Sequence, residues 1–259
     1  MSYLGFVRPV INGALVRVGS PTILEVGIHY GQTTIPLLQN LISQFESFLL
    51  VAVDIKVRGE FLNQVAGFSD FTLKFNGETI VSDNPDKVLS VIQTNSMKFL
   101  EAQNENLKFD SVWLDGDHNY YTVMNELKLL EKHVHDHTWI VCDDYLGRYS
   151  KEDGFYGESH DTKDNVLSAK REDAEAYSEK RGVRTAIDDF VDNESAFEWK
   201  VYETNYEPCI LYRPDKTEVL YHKQKDAAYS FDDKFILKLT SEDINDFYDD
   251  KDEKAHEPA

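Results

Sequence analysis

Short apolar runs that stop abruptly at polar residues recur along this chain. Thr22-Ile-Leu-Glu-Val26 runs into a glycine turn, and Leu49-Leu-Val-Ala-Val53 stops at Asp54. Asp110 to Asp115 and Trp139 to Cys142 are runs of the same kind, followed by Asp115-Gly-Asp-His118 and Asp143-Asp-Tyr145. Runs this short, rich in β-branched and aromatic residues, read as buried strands. Between them the period changes to that of a helix. Leu38, Leu41, Ile42 and Phe45 fall on one helical face, with Pro36 tolerable in the first turn. Tyr120, Val123, Met124, Leu127 and Leu130 do the same in a helix expected over 119–133.

The remaining pattern fills in around these elements. Residues 58–67 suit a short helix, and 96–103 another. Phe71 to Phe75, Asn76-Gly77 and Thr79 to Val81 predict a β-hairpin insertion. Val88 to Thr94 reads as a strand, with a helix starting at Asp86 after Asn84-Pro85 as the competing reading. Val183, Ile187, Phe190 and Val191 mark a further helix. Phe197 to Glu203 and Cys209 to Tyr212 form an expected closing antiparallel pair. Alternation of strand and helix predicts an α/β fold: a doubly wound, Rossmann-like, mostly parallel seven-stranded sheet with an antiparallel closing strand. Domain boundaries follow. Residues 1–214 form the main domain, opening with a lead-in over 1–20. Within it, 147–182 is a polar, lid-like insertion directly after a strand end. Residues 215–240 are a C-terminal β extension, and 241–259 an acidic, disordered tail.

Composition narrows the partners. The 259 residues carry 47 Asp and Glu against 27 Lys and Arg, a net charge of -20, with pI near 4.7. Such a surface disfavours nucleic acid and anionic membranes, both of which call for a basic footprint. A hydrophobic content of 41% supports a substantial core. Cys142 and Cys209 lie in apolar runs and read as free buried thiols. No run reaches membrane-span length and no leader pattern precedes the first strand, so a cytoplasmic setting is expected.

The chemistry collects at the strand ends, where open α/β sheets build ligand sites. In Glu25-Val-Gly-Ile-His-Tyr-Gly31, Gly27 permits a tight exit from the strand and Gly31 a close approach to a ligand. His29 stands where a dinucleotide fingerprint carries its middle glycine, which weakens a pyrophosphate reading. Glu25 suits a ligand bearing an ammonium group, and Asp54 a ribose diol, with an N-cap the alternative for Asp54. Asp115, Asp143 and Asp144 are three oxygen donors without a cysteine, a set suited to Mg²⁺ or Mn²⁺ rather than Zn²⁺. His118 is a candidate general base beside them, with an ordinary pKa near ~6.5. Lys132-His-Val-His-Asp-His137 reads instead as a helix-end loop with its histidines near a C-terminal dipole.

These motifs taken together resemble the class I S-adenosylmethionine-dependent O-methyltransferases, in particular the small-molecule branch with the catechol and macrocin enzymes. The resemblance rests on Glu25-x-Gly-x-x-x-Gly31, Thr33, Asp54, Asp115-Gly-Asp-His118-x-Tyr120, Asp143-Asp144-Tyr145 and Gly182-Val-x-x-Ala186-x-x-x-Phe190. It covers roughly residues 20–212. It implies that Glu25, Gly27 and Gly31 cradle the methionine end of the cofactor and that Asp54 holds the ribose. It places Ser96 where the family often carries an acid near the adenine. Asp115, Asp143 and Asp144 would hold a divalent metal, with Asp115 also bordering the cofactor and serving catalysis. His118 would be the base. The implied activity is metal-assisted O-methylation of a small hydroxylated substrate such as a sugar, a macrolide or a polyphenol. A non-catalytic S-adenosylmethionine-binding or interaction module of the same fold is the alternative, and a nicotinamide-dependent oxidoreductase is a third reading. The additional C-terminal strands could serve a homodimer interface.

Overall fold

The computed structural model describes residues 18–213, apart from His160, Asp164, Asn205 and Tyr206. The expected β extension over 215–240, the tail over 241–259 and residues 1–17 of the lead-in lie outside the described residues.

Nine strands form one sheet: β1 (Thr22–Val26), β2 (Phe48–Asp54), β3 (Thr72–Phe75), β4 (Glu78–Ser82), β5 (Lys87–Gln93), β6 (Phe109–Leu114), β7 (Val134–Cys142), β8 (Lys200–Glu203) and β9 (Cys209–Tyr212). Their order is β4-β3-β5-β2-β1-β6-β7-β9-β8. The central pairs β1–β2, β1–β6, β2–β5 and β6–β7 are parallel. β9 lies antiparallel between β7 and β8. The doubly wound expectation holds, with two strands more than the seven foreseen. The extra pair is the hairpin, which joins the sheet instead of standing apart: Phe71 and Leu73 are fully buried, and β3 pairs in parallel with β5. Asn76 and Gly77, both at positive φ, make its turn. β4, largely exposed, then closes that edge. The segment after Asn84-Pro85 is strand, not helix, because Val88 to Gln93 continues the β2 ladder.

Among the described residues, six α-helices cover the faces: α1 (Thr34–Gln44), α2 (Gly59–Ala66), α3 (Ser96–Ala102), α4 (Tyr120–Leu130), α5 (Arg171–Tyr177) and α6 (Val183–Asp189). α1 and α2 place Leu37, Leu38, Leu41, Phe61 and Val65 on one face of the sheet, against Ile23, Leu50 and Trp113. α3, α4 and α6 place Phe99, Met124, Leu127 and Ile187 on the other, against Leu24, Val112 and Ile140. After α6 the chain widens into a π turn over Phe190–Glu194. Cys142 and Cys209 are free, buried and directly opposite in the β7–β9 pairing.

The histidine-rich segment requires a correction. The helix stops at Leu130, a 3-10 turn spans Glu131–His133, and β7 already begins at Val134. His135 and His137 are therefore strand residues and not a helix-end loop. Residues 135–138 bulge out of register with β6, and His137 Nε2 lies 2.8 Å from Asp110 Oδ1. The His133 ring is wedged between the carbonyls of Leu107 and Leu100, at 2.9 and 3.1 Å.

α4 begins just after the acidic end of β6. Its cap is Asn119, fully buried, whose side chain accepts from the Thr122 N–H at 2.8 Å. Asn119→Ala is expected to lower stability by about 1 kcal/mol in urea unfolding, and an unchanged midpoint would show the cap to be dispensable.

Candidate functional site

The carboxyl ends of β1, β2, β6 and β7 converge on one edge, and the backbone there is locked in steps. Gly27 N–H donates to Val53, Asp115 N–H to Val26, and Asp143 N–H to Leu114, each at 2.9 Å. Gly27 has φ +91°, and a Cβ there would lie 1.9 Å from the Asp115 carbonyl oxygen. No other residue type fits this crossing.

Beyond it opens a cleft of about 250 Å³. Gly27, Asp54, Ser96 and Asp115, all singled out in the sequence, line it. The Asp54 carboxylate accepts backbone N–H groups from Ile28 and His29 on Oδ2, at 2.7 and 2.9 Å, and from Lys56 on Oδ1, at 2.8 Å. These bonds fix its direction, occupy both lone pairs of Oδ2 and leave one on Oδ1. Two other predicted residues stand behind the wall. Gly31 is buried, and a Cβ there would strike the Phe61 ring at 2.5 Å, so packing on α2 demands the glycine. Glu25 is fully buried beside Thr34, and neither of its carboxyl oxygens makes a hydrogen bond. Burial pushes its pKa up to about 8.

The reaction end of the edge gathers Asp115, His118 and Asp143, with one ligand atom from each within 4.8 Å of the others. Burial, then the Asp143 charge, pushes Asp115 well above the usual carboxylate range, and burial also raises Asp143. Two buried carboxyls this close need a shared proton or a cation between them. The donor set, carboxylate oxygens and one imidazole, fits a hard divalent cation. Asp144, the third expected ligand, falls outside that group. It sits at φ +57°, and its Oδ2 lies 3.2 Å from His118 Nδ1. His118 Nε2 points the other way, 3.7 Å from Asp115. Burial outweighs the nearby carboxylates and lowers the His118 pKa, so its ring is a neutral imidazole stacked on Tyr149 at 5.4 Å.

Several site groups escaped the sequence reading. Asp117 lies in the cleft wall, and burial raises its pKa to about 6. It stood inside the Asp115–His118 motif, unassigned. Tyr156 comes from the polar insertion, which has no periodicity to flag it. Glu126 is fully buried in α4 and accepts from the Ser96 hydroxyl. Its signal was present: an acid three residues after Val123 and four before Leu130 lies on the apolar face. The insertion itself runs across the cleft. Arg58 pairs with Asp161 at 2.5 Å, the Asn165 side chain donates to the Ile55 carbonyl at 2.8 Å, and that of Asn95 to Leu167 at 3.0 Å.

A family model described as a methyltransferase domain matches residues 24–145, from β1 through the acidic end of β7. Over that stretch the chain is similar to a methyltransferase domain. Solved structures similar to it include a TDP-rhamnose 3′-O-methyltransferase of calicheamicin biosynthesis, at 14% identity and TM-score 0.48, covering 82% of this chain and 79% of that one. A Podospora anserina methyltransferase bound to SAH is 11% identical with TM-score 0.43, covering 81% and 76%. A methyltransferase of the mycinamycin pathway, in complex with Mg, SAH and mycinamycin VI, is 14% identical with TM-score 0.44, covering 82% and 50%. Likenesses of this degree say nothing of substrate. No curated protein matches the chain. Among the described residues, no helix is long and apolar enough to cross a membrane.

The buried carboxyl beneath the cleft gives a pH signature. Burial raises the Glu126 pKa from 4.5 to about 8. Between those values the folded protein holds a proton that the unfolded chain has released, so stability falls as pH rises. Glu126→Gln has no proton to lose. It is expected to gain on the wild type by up to about 1.4 kcal/mol per pH unit between pH 5 and 8 in urea unfolding. A difference that stays constant with pH would contradict this.

Proposed function

We propose that the protein is an S-adenosylmethionine-dependent O-methyltransferase, metal-assisted, acting on a small hydroxylated acceptor. The observation that carries the reading is the order of groups along one sheet edge: a glycine crossing, a directed carboxylate at Asp54, and the Asp115, Asp143 and His118 cluster beside the same cleft. The cleft fits a nucleoside carrying a positive charge. Asp54 Oδ1 keeps a lone pair for a ribose hydroxyl, and the carboxyls around it suit a cation.

When bound, the cofactor supplies the methyl group, and a divalent cation lowers the pKa of an acceptor hydroxyl. The chain's residues do the rest. Asp54 holds the ribose hydroxyls, and Ser96, anchored by Glu126, borders the adenine. Gly27 lets the backbone pass close to the cofactor, with Glu25 and Gly31 supporting that turn from behind. Asp115 and Asp143 hold the cation. Asp144 orients the base, one oxygen toward His118 Nδ1. Held there, His118 presents its other nitrogen, Nε2, to take the acceptor's proton. The insertion over 147–182 covers the cleft and keeps water from the transfer. The acceptor class we favour is a sugar, macrolide or polyphenol with neighbouring hydroxyls, which a single cation can chelate. Free buried thiols accord with a cytoplasmic setting.

The test is release of S-adenosylhomocysteine across a panel of such acceptors, with Mg²⁺ and then with EDTA. Turnover is expected with Mg²⁺ only. Asp115→Ala and Asp143→Ala are each expected to lose about a hundredfold or more of it, while cofactor affinity stays within a few-fold. Full activity in both variants would remove the metal role, and no turnover by the wild type on any acceptor would favour the non-catalytic module.

A further inference from the structure

Tyr156 is the part of the insertion that reaches furthest into the chemistry, and nothing in the reading above gives it a task. It opens a short 3-10 turn, Tyr156–Glu158, and lines the cleft together with Asp54 and Asp115. Its backbone is held on both sides. The N–H donates to Asp117 Oδ1 at 2.7 Å, and the carbonyl accepts from the Thr162 hydroxyl. The neighbouring Phe155 is buried. The ring is tilted against His118 with centroids 5.9 Å apart. It therefore stands between the Asp54 end of the cleft and the reaction cluster, on a backbone that fixes its position.

The electrostatics at that position are one-sided. Burial first, and then the charges of Asp115, Asp54, Asp117 and Asp143, push the Tyr156 phenol up to about 12. The phenol is thus neutral at working pH and is not a proton acceptor. Besides that neutral hydroxyl, the side chain offers its ring face, which carries negative quadrupole density and attracts a desolvated cation. A cofactor seated on Asp54 with its methyl directed at an acceptor beside His118 would bring its positively charged sulfur near this ring.

Resting on the methyltransferase reading, we propose that Tyr156 is a specificity-determining residue that recognises the sulfonium charge of S-adenosylmethionine through its ring face. The consequence is discrimination between reactant and product. S-adenosylmethionine carries the sulfonium charge, whereas S-adenosylhomocysteine is a neutral thioether of nearly the same shape. A ring that only filled space would treat both alike. A ring that reads charge tightens on the reactant and releases the product, with Asp117 as the positioning residue that sets its backbone.

The experiment is calorimetric titration of both ligands into the full chain for the wild type, Tyr156→Phe and Tyr156→Leu. Tyr156→Leu is expected to weaken S-adenosylmethionine about five- to thirtyfold while S-adenosylhomocysteine changes less than about twofold. Tyr156→Phe, which keeps the ring, is expected to bind both as the wild type does. Equal loss of both ligands in a folded Tyr156→Leu, or loss of neither, would overturn the proposal. Tyr156→Met supplies the same comparison if the leucine variant does not fold. A wild type that binds neither ligand would remove the methyltransferase reading itself, and this inference with it.

Discussion

The edge of the sheet depends on one close crossing. At the end of β1 the chain turns at Gly27 so near β6 that a single added carbon would lie 1.9 Å from the Asp115 carbonyl oxygen. That approach draws the ends of β1 and β6 together and brings Asp115 to the rim of the cleft. The stepped hydrogen bonds from Gly27 to Val53, Asp115 to Val26 and Asp143 to Leu114 carry the same offset across four strands. Each strand end is therefore set by its neighbour. A shift at Gly27 would move the carboxylates at the ends of β2, β6 and β7 together.

The same edge concentrates negative charge where solvent is scarce. Glu25, Asp115, Asp117, Glu126 and Asp143 all have pKa values raised chiefly by burial. Such an arrangement is costly for the protein alone, and it is relieved by protons or by a positively charged ligand. The two buried glutamates hold protons at neutral pH. The aspartates around the cleft are the ones positioned to meet charge arriving from outside, whether a metal ion or a sulfonium. The fold supplies the site and the site supplies the functional argument, since sheets of this kind host many unrelated activities.

Most of this was legible in the sequence because strand ends and helix faces leave periodic marks. The runs ending at Asp54, Asp115 and Asp143 became β2, β6 and β7, and the face of Val123, Met124 and Leu127 became α4. The places that were not legible have particular causes. The hairpin at Asn76-Gly77 was foreseen, but its joining the sheet depends on β3 pairing with β5, a contact between segments that periodicity does not report. The segment holding His135 and His137 is polar because it bulges, so its strand character was hidden. The roles of Gly31 and Asp144 turn on tertiary neighbours, Phe61 in one case and His118 in the other. Tyr156 lies in a polar stretch where only the fold shows which side chain turns inward.

The central claim is that the cleft at this edge is a nucleoside-sulfonium site organised by Asp54. Its most direct test is calorimetric titration of S-adenosylmethionine into the wild type and into Asp54→Ala. The expected result is micromolar binding by the wild type, weakened about tenfold or more when the carboxylate is removed. Binding unaffected by Asp54→Ala would contradict the assigned orientation, and no binding by the wild type would contradict the account as a whole.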